Sequence, residues 1–500
     1  MSMEEHTTQL APLASTGIPG LDHVLGGGLP RNRVYLVEGD PGSGKTTVGL
    51  QFLLDGMSHG ERVLYVTLSE TKAELIGVAQ SHGWNLDGMA IYELSVLESA
   101  GIQPDDQYTF FHPSEVELAE TTKAVLDEVE RVAPTRVVFD SLSEMRLLAR
   151  EPLRYRRQIL GLKQFFIGRS CTVMLLDDRT SGEGDLQLRS LAHGVITVEQ
   201  LAPAYGSERR RARIVKLRGV NFRGGFHDCV IETGGLRVFP RLVAAESRSD
   251  RKHADASSGI TALDLLLGGG LDRGSSTLFI GPAGVGKSAL ATQFGVSAAG
   301  RGERVAMYLF DEGMETFCRR AAGIGADVER YVNSGHMTLT LVDPSEMSPG
   351  EFVHRIRTAV EGDEVSVVVI DSLNGFLNAM PEERFLQAQL HEVFMFLRQR
   401  GILTISVMAQ HGLVGAMQAP IDLSYLADNV VLLRFFEAQG EVRRAISVMK
   451  KRSGHHERTI RELLLLPGTI RVGEPLGNFH GVLTGVPTYN ARGPSQAPPE

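Results

Sequence analysis

Gly39-Asp40-Pro41-Gly42-Ser43-Gly44-Lys45-Thr46 and Gly281-Pro282-Ala283-Gly284-Val285-Gly286-Lys287-Ser288 share one pattern, a glycine-bounded loop followed by a lysine and a hydroxyl. Such a loop is built to hold phosphate. Glycines let successive backbone N–H groups curl around phosphate oxygens, and the positive end of a following helix adds to the field. Lysine brings a point charge to the β- and γ-oxygens, and Thr46 or Ser288 offers a hydroxyl to Mg²⁺. On this pattern Gly39, Gly42, Ser43, Gly44, Lys45, Thr46 and Thr47 form one ATP site. Gly281, Gly284, Val285, Gly286, Lys287, Ser288 and Ala289 form a second. The cofactors expected are ATP and Mg²⁺.

Carboxylates that close apolar runs supply the rest of the chemistry, because an open parallel sheet binds its ligand at the carboxyl ends of its strands. Val137-Val138-Phe139-Asp140 and Val367-Val368-Val369-Ile370-Asp371 have the form of a Walker B strand, so Asp140 and Asp371 are the expected Mg²⁺ carboxylates beside Thr46 and Ser288. The runs Arg62–Leu68 and Arg304–Phe310 end at Ser69-Glu70 and Asp311-Glu312. Glu70 and Glu312, with Asp311 beside the latter, are the candidates for polarising the attacking nucleophile. The alternative is a solvated charge at a strand end. A further run, Leu403–Ala409, closes on Gln410, a candidate γ-phosphate sensor. Its counterpart is read as Met174–Leu176, closing on Asp177-Asp178, where the amide is lost.

Basic residues recur too. Arg209-Arg210-Arg211 with Lys216-Leu217-Arg218 is matched by Arg443-Arg444 with Lys450-Lys451-Arg452. Because Lys-x-Arg returns at the same place, Lys216, Arg218, Lys450 and Arg452 are read as cations for a nucleotide bound by a neighbouring subunit. A solvated basic strand is the alternative. His455-His456 lacks ligand spacing, and Trp84 and the scattered methionines read as core.

The elements that must position these groups come twice. Thr16-Gly17-Ile18, Leu21-Asp22 and Gly26-Gly27-Gly28-Leu29 return as Ser258-Gly259-Ile260, Leu263-Asp264 and Gly268-Gly269-Gly270-Leu271, and one constant interval also separates Lys45 from Lys287 and Glu70 from Glu312. Apolar strands precede both loops and amphipathic helices follow, Thr46–Met57 and Ser288–Ala299. The expected organisation is an arm over 1–15, a first domain over 16–243, a polar linker over 244–257, a second domain over 258–489 and a Pro/Gly/Ala-rich tail over 490–500. Each domain is expected to be α/β, a P-loop NTPase fold with a mostly parallel twisted sheet flanked by helices.

Bulk properties narrow the class. With 42% hydrophobic and 22% charged residues, each half can bury a core. The formal net charge of −9 argues against a nucleic-acid partner held through phosphate contacts. Cys171, Cys229 and Cys318 are far apart and without metal spacing, as for buried small hydrophobes in a reducing compartment. Residues 1–17 lack the apolar stretch of a signal peptide, and no run is long enough to span a membrane, so a cytoplasmic protein is expected.

From about Thr16 to Tyr489 the chain resembles the KaiC family, double-domain ATPases of the RecA superfamily known from the cyanobacterial circadian clock. The marks are Thr16-Gly17-Ile18-Pro19-Gly20-Leu21-Asp22 and its repeat, the GGGL turns, both P-loops, Lys216-Leu217-Arg218-Gly219, and Ala445–Val448 with Ile460-Arg461-Glu462. The resemblance implies a homo-oligomer, a hexamer of stacked double rings with nucleotide between subunits. It also implies slow hydrolysis in the first domain and autophosphorylation in the second. Two departures stand out. The family's paired glutamates are Ser69-Glu70 and Asp311-Glu312 here, and its adjacent Ser-Thr phosphosites fall on Ser424-Tyr425. A single-site phosphorylation on Ser424 remains open, and a two-site cycle does not.

The expected function is therefore an ATP-hydrolysing KaiC-like ring with serine autokinase activity in its second domain, read by an unknown signalling partner. A DNA-dependent motor, which single-stranded DNA would stimulate, and a nucleotide-gated scaffold with little turnover are the alternatives.

Overall fold

The structure, a computed structural model, describes residues 12–94, 113–149, 152–179, 186–203, 206–244, 255–378, 386–410, 423–483 and 488–489. Most of the expected arm and linker, and the whole expected tail, lie outside the described residues. The chain divides into two compact units, Met1–Arg241 and Leu242–Glu500.

Val34–Gly39 is buried at every position, as is Ser276–Gly281. A continuous apolar run of this kind belongs at the centre of a parallel sheet covered on both faces. In the first unit the nine-stranded sheet runs Gly235–Phe239, Phe226–Glu232, Arg209–Leu217, Gly194–Leu201, Val34–Gly39, Thr172–Asp178, Arg136–Asp140, Val63–Thr67, Ala90–Glu93. From Gly194–Leu201 to Ala90–Glu93 every neighbour is parallel, and the remaining strands are antiparallel.

The second unit repeats this order with Ser276–Gly281 in the place of Val34–Gly39, Leu403–Ala409 beside it, then Val367–Asp371, Val305–Leu309 and Met337–Leu341. Even the irregularities repeat. A bulge interrupts the register at Val195/Ile196 and again at Val430/Val431. Two apolar clusters, one on each face, sandwich each sheet. These are two mostly parallel α/β domains of RecA-like form.

The helix after each loop starts where the loop ends. Gly44 and Gly286 hold left-handed conformations, with φ of 103° and 113°, at the N-termini of Lys45–Ser58 and Lys287–Gly300. These turns need glycine. Gly39 needs it for space, since a Cβ there would lie 2.2 Å from the Val198 carbonyl oxygen and 2.5 Å from Ser43 Oγ. Cys171 and Cys229 are buried and Cys318 is half-buried. No helix among the described residues is long and apolar enough to cross a membrane.

Candidate nucleotide sites

Each loop curls over its own lysine. Lys45 Nζ donates to the carbonyls of Gly39 at 3.0 Å and Asp40 at 2.9 Å, and lies 2.7 Å from Asp178 Oδ1. Lys287 Nζ donates to Pro282 O at 2.7 Å, and burial pushes its ammonium down to about 8 against the opposing pull of Asp371. Thr47, Val285 and Ala289 are buried behind the loops. Ser43 is buried, and its hydroxyl has no partner among the described residues. A buried orphan hydroxyl inside a loop of backbone donors suits an anionic ligand.

The hydroxyl and carboxylate expected at Mg²⁺ do meet. Thr46 Oγ1 donates to Asp140 Oδ2 at 2.8 Å, and Ser288 hydrogen-bonds Asp371. Burial raises both carboxyls, and the hydrogen bonds oppose it. No cluster of three or more acidic, His or Cys ligands exists among the described residues. One hydroxyl and one carboxylate still fit Mg²⁺, which takes few protein ligands and completes its shell with substrate phosphate and water.

At the next strand ends the two units diverge. Burial raises Glu70, with Asp140 and then Glu74 adding like-charge repulsion, and its Oε2 has no partner among the described residues. Its backbone is locked by Thr67, whose hydroxyl donates to Glu70 O at 2.6 Å and accepts from Glu70 N. Glu312 is instead held by Arg320, whose Nη2 and Nε lie 2.8 and 3.1 Å from its Oε2. Asp311 accepts from the Ser372 hydroxyl.

The family model described as ATPase: KaiC matches residues 14–243 and again 256–477. The chain belongs to the KaiC ATPase family. It is 27% identical over 483 residues to the circadian clock protein KaiC3 of Synechocystis sp., covering 95% of each chain. To the circadian clock oscillator protein KaiC of Parathermosynechococcus lividus it is 26% identical, covering 95% of this chain and 88% of the relative. To that of Rippkaea orientalis it is 28% identical, over 97% and 93%.

Within this KaiC fold, the Lys-x-Arg cations stand far from the loops of their own unit. Lys216 pairs in register with Val195, which lies opposite Leu36, three residues before Gly39. At about 3.3 Å per residue, that puts its backbone about 10 Å short of the P-loop. Its Nζ is held by Arg189 O at 2.7 Å and Ser190 O at 3.3 Å, and Arg218 Nη2 also reaches Ser190 O. In the second unit Lys450 Nζ donates to Ser424 O at 2.9 Å and Ala427 O at 2.8 Å, and Arg452 Nη2 donates to Tyr425 O at 2.9 Å. Ser424 is half-buried in this turn, next to Asp428, which hydrogen-bonds the first residue of the P-loop strand, Ser276. Thus Lys216, Arg218, Lys450, Arg452 and Ser424 are not brought together with the P-loops of their own unit. By contrast, Arg210 reaches the first loop, with Nη2 3.5 Å from Gly42 O.

One expectation is corrected. The counterpart of Leu403–Ala409 is Thr172–Asp178, so Asp177 and Asp178 lie inside the strand rather than beyond it. Gly39 pairs with Asp178 and Gly281 with Ala409, and the next backbone N–H in each unit, Arg179 and Gln410, donates to that glycine. Arg179, not an aspartate, therefore replaces Gln410. The apolar run alone stopped the strand at Leu176, because a buried Asp177 and a half-buried Asp178 are not expected inside a strand without knowledge of their partners. Asp177 has Arg146 and Ser143, and Asp178 has Lys45.

Sequence reasoning also missed Tyr65, a fully buried side chain whose hydroxyl donates to Asp140 Oδ2. An aromatic in an apolar run signals only core, and its register opposite Val138, two residues before Asp140, appears only in the sheet.

Proposed function

We propose that this chain is a Mg²⁺-dependent ATPase with two unequal sites, assembled as a ring, in which each nucleotide is completed by Lys-x-Arg of an adjacent subunit. One observation carries the reading. In both units the P-loop lysine and the hydroxyl–carboxylate pair converge at one end of the sheet, while the paired cations stand at the other. Only another copy can bring the two together. The relatives' names supply the circadian-clock context, and the hexamer and signalling partner are carried over from the family resemblance.

In the first unit Glu70 accepts a proton from water as the γ-phosphate is attacked. When bound, Mg²⁺ supplies charge neutralisation at the phosphates. In the second unit Glu312 or Asp311 takes the proton, from water or from Ser424 of an adjacent copy. A Ser424 acceptor must act between copies, since it lies about five strand residues, or roughly 16 Å, from its own loop. A partner protein then reads the phosphorylated or nucleotide-bound ring.

The test is a time course with γ-labelled ATP, following free phosphate and protein-bound label together. Bound label lost in Ser424→Ala and Lys287→Ala establishes a serine autokinase. Free phosphate without bound label leaves an ATPase and removes the kinase step. Stoichiometric binding without either product leaves a scaffold. Stimulation by single-stranded DNA would revive the motor reading, which the acidic net charge disfavours.

A further inference from the structure

The two phosphate loops are near copies, yet their lysines have different neighbours. Asp178 stands opposite the first glycine of the first loop, and Ala409 stands opposite the first glycine of the second. Asp178 Oδ1 lies 2.7 Å from Lys45 Nζ, and its side chain is 27% exposed, so solvent can rehydrate it only in part. The backbone pins it, with Asp178 N donating to Ser143 Oγ at 3.2 Å. Its neighbour Asp177 is already neutralised by Arg146. Asp178 thus has a fixed position beside the one cation that every triphosphate entering this loop must recruit.

We propose that Asp178 is a specificity-determining residue that sets the first site against the γ-phosphate, so that this site favours a nucleoside diphosphate relative to the second. The inference rests on reading the loop as a nucleotide site. The β-phosphate sits within the backbone N–H groups, and the lysine reaches from it to the γ-phosphate. That places the terminal phosphate toward the ends of the neighbouring strands, where Asp178 lies. Before binding, the carboxylate holds Lys45. After binding, it remains within a few ångströms of the phosphate that takes its place. Like charges at such distance, in surroundings only partly screened, weaken binding by at least about tenfold. A diphosphate, ending one phosphate earlier, escapes most of that repulsion. The second site, with Ala409, carries no such charge.

The experiment uses the full chain with the second site silenced by Lys287→Ala, comparing Asp178 with Asp178→Asn in Mg²⁺ buffer. Dissociation constants are measured for ADP and for the non-hydrolysable β,γ-imido analogue of ATP. The expected result is an analogue affinity about tenfold higher in the Asn variant, with ADP changing less than about threefold. An equal gain for both nucleotides overturns the inference, since Asp178 would then only compete for the lysine. A weaker analogue affinity overturns it too, by making Asp178 a support of the site. The reciprocal variant, Ala409→Asp in a Lys45→Ala chain, is expected to lower analogue affinity selectively at the second site, and no change there counts against the proposal. If the Lys287→Ala chain binds neither nucleotide, the nucleotide reading of the first loop has itself failed.

Discussion

Glu70 and Glu312 occupy one position in the repeat, and their surroundings give them opposite electrostatics. Glu70 is raised by burial and by Asp140, with no cation paired to its carboxylate among the described residues, whereas Glu312 is gripped by Arg320. A base gains proton affinity from burial beside another carboxylate, the setting of Glu70. We therefore expect Glu70→Gln, in a Lys287→Ala chain, to cut phosphate release by about 10²-fold or more while ADP affinity stays within a few-fold. In the parent Lys287→Ala chain, the rate must fall with acidity as Glu70 takes up a proton. Because its carboxyl sits above the ordinary 4.5, that fall starts at higher pH than an exposed glutamate would give. A pH–rate profile that stays flat down to the ordinary carboxylate range would remove Glu70 as the base. The loop residues were legible from sequence because their roles depend on residue type and adjacent spacing. Arg320 and Tyr65 were not, since a salt bridge and a cross-strand hydroxyl depend on register that no spacing encodes. Asp178 was visible only as a charge at a strand end.

At the scale of elements, the repeat and the central strands were readable because buried parallel strands are apolar throughout. What could not be read is where a charge belongs inside one. Arg136 opens the Walker B strand, and its side chain is fully buried among Asp55 at 3.0 Å, Glu61 at 2.8 Å and the carbonyls of Ser15 and Phe52. The second unit has Val367 there, packed in an apolar cluster. The arginine ties the P-loop helix to the strand carrying Asp140, and the loop after that helix reaches Arg31 through Glu61. Removing it leaves two carboxylates half-paired, so Arg136→Met is expected to cost the first unit about 3–5 kcal/mol. Denaturation followed by separate probes should show the first unit's transition lowered and the second's unmoved. The same cluster reports on acid. Burial alone would raise Glu61, but hydrogen bonds from Arg31 and Arg136 outweigh it and bring it to about 2 from 4.5. A depressed carboxyl stabilises the fold above its unfolded pKa. That contribution, at most about 3 kcal/mol before solvent screening, drains away as pH falls from 4.5 toward 2.

For the whole molecule, the decisive geometry is separation within each unit. A phosphate loop at one end of a sheet and paired cations at the other cannot serve the same nucleotide, so either the cations are structural or the working unit is an assembly. The contacts of Lys216 with Arg189 O and Ser190 O fit both readings, because a cation can rest on backbone carbonyls and still turn to a neighbour's phosphate. Mixing separates them. Take chains silenced at the second site by Lys287→Ala, one set carrying Lys45→Ala and the other Arg218→Ala. The first set keeps the cations and lacks the loop lysine, and the second keeps the loop and lacks a cation. If nucleotides lie between copies in head-to-tail contact, a one-to-one co-assembly restores intact composite sites at about a quarter of interfaces. Phosphate release should then exceed the average of the separate chains, and the rate per Arg218→Ala chain should rise further as the Lys45→Ala partner is added in excess, levelling off when every intact loop faces an intact cation. A rate that never exceeds that average at any ratio means Arg218 works only within its own chain. The opposite ends of the sheet would then have to be explained by stability alone, and the ring would lose its physical reason.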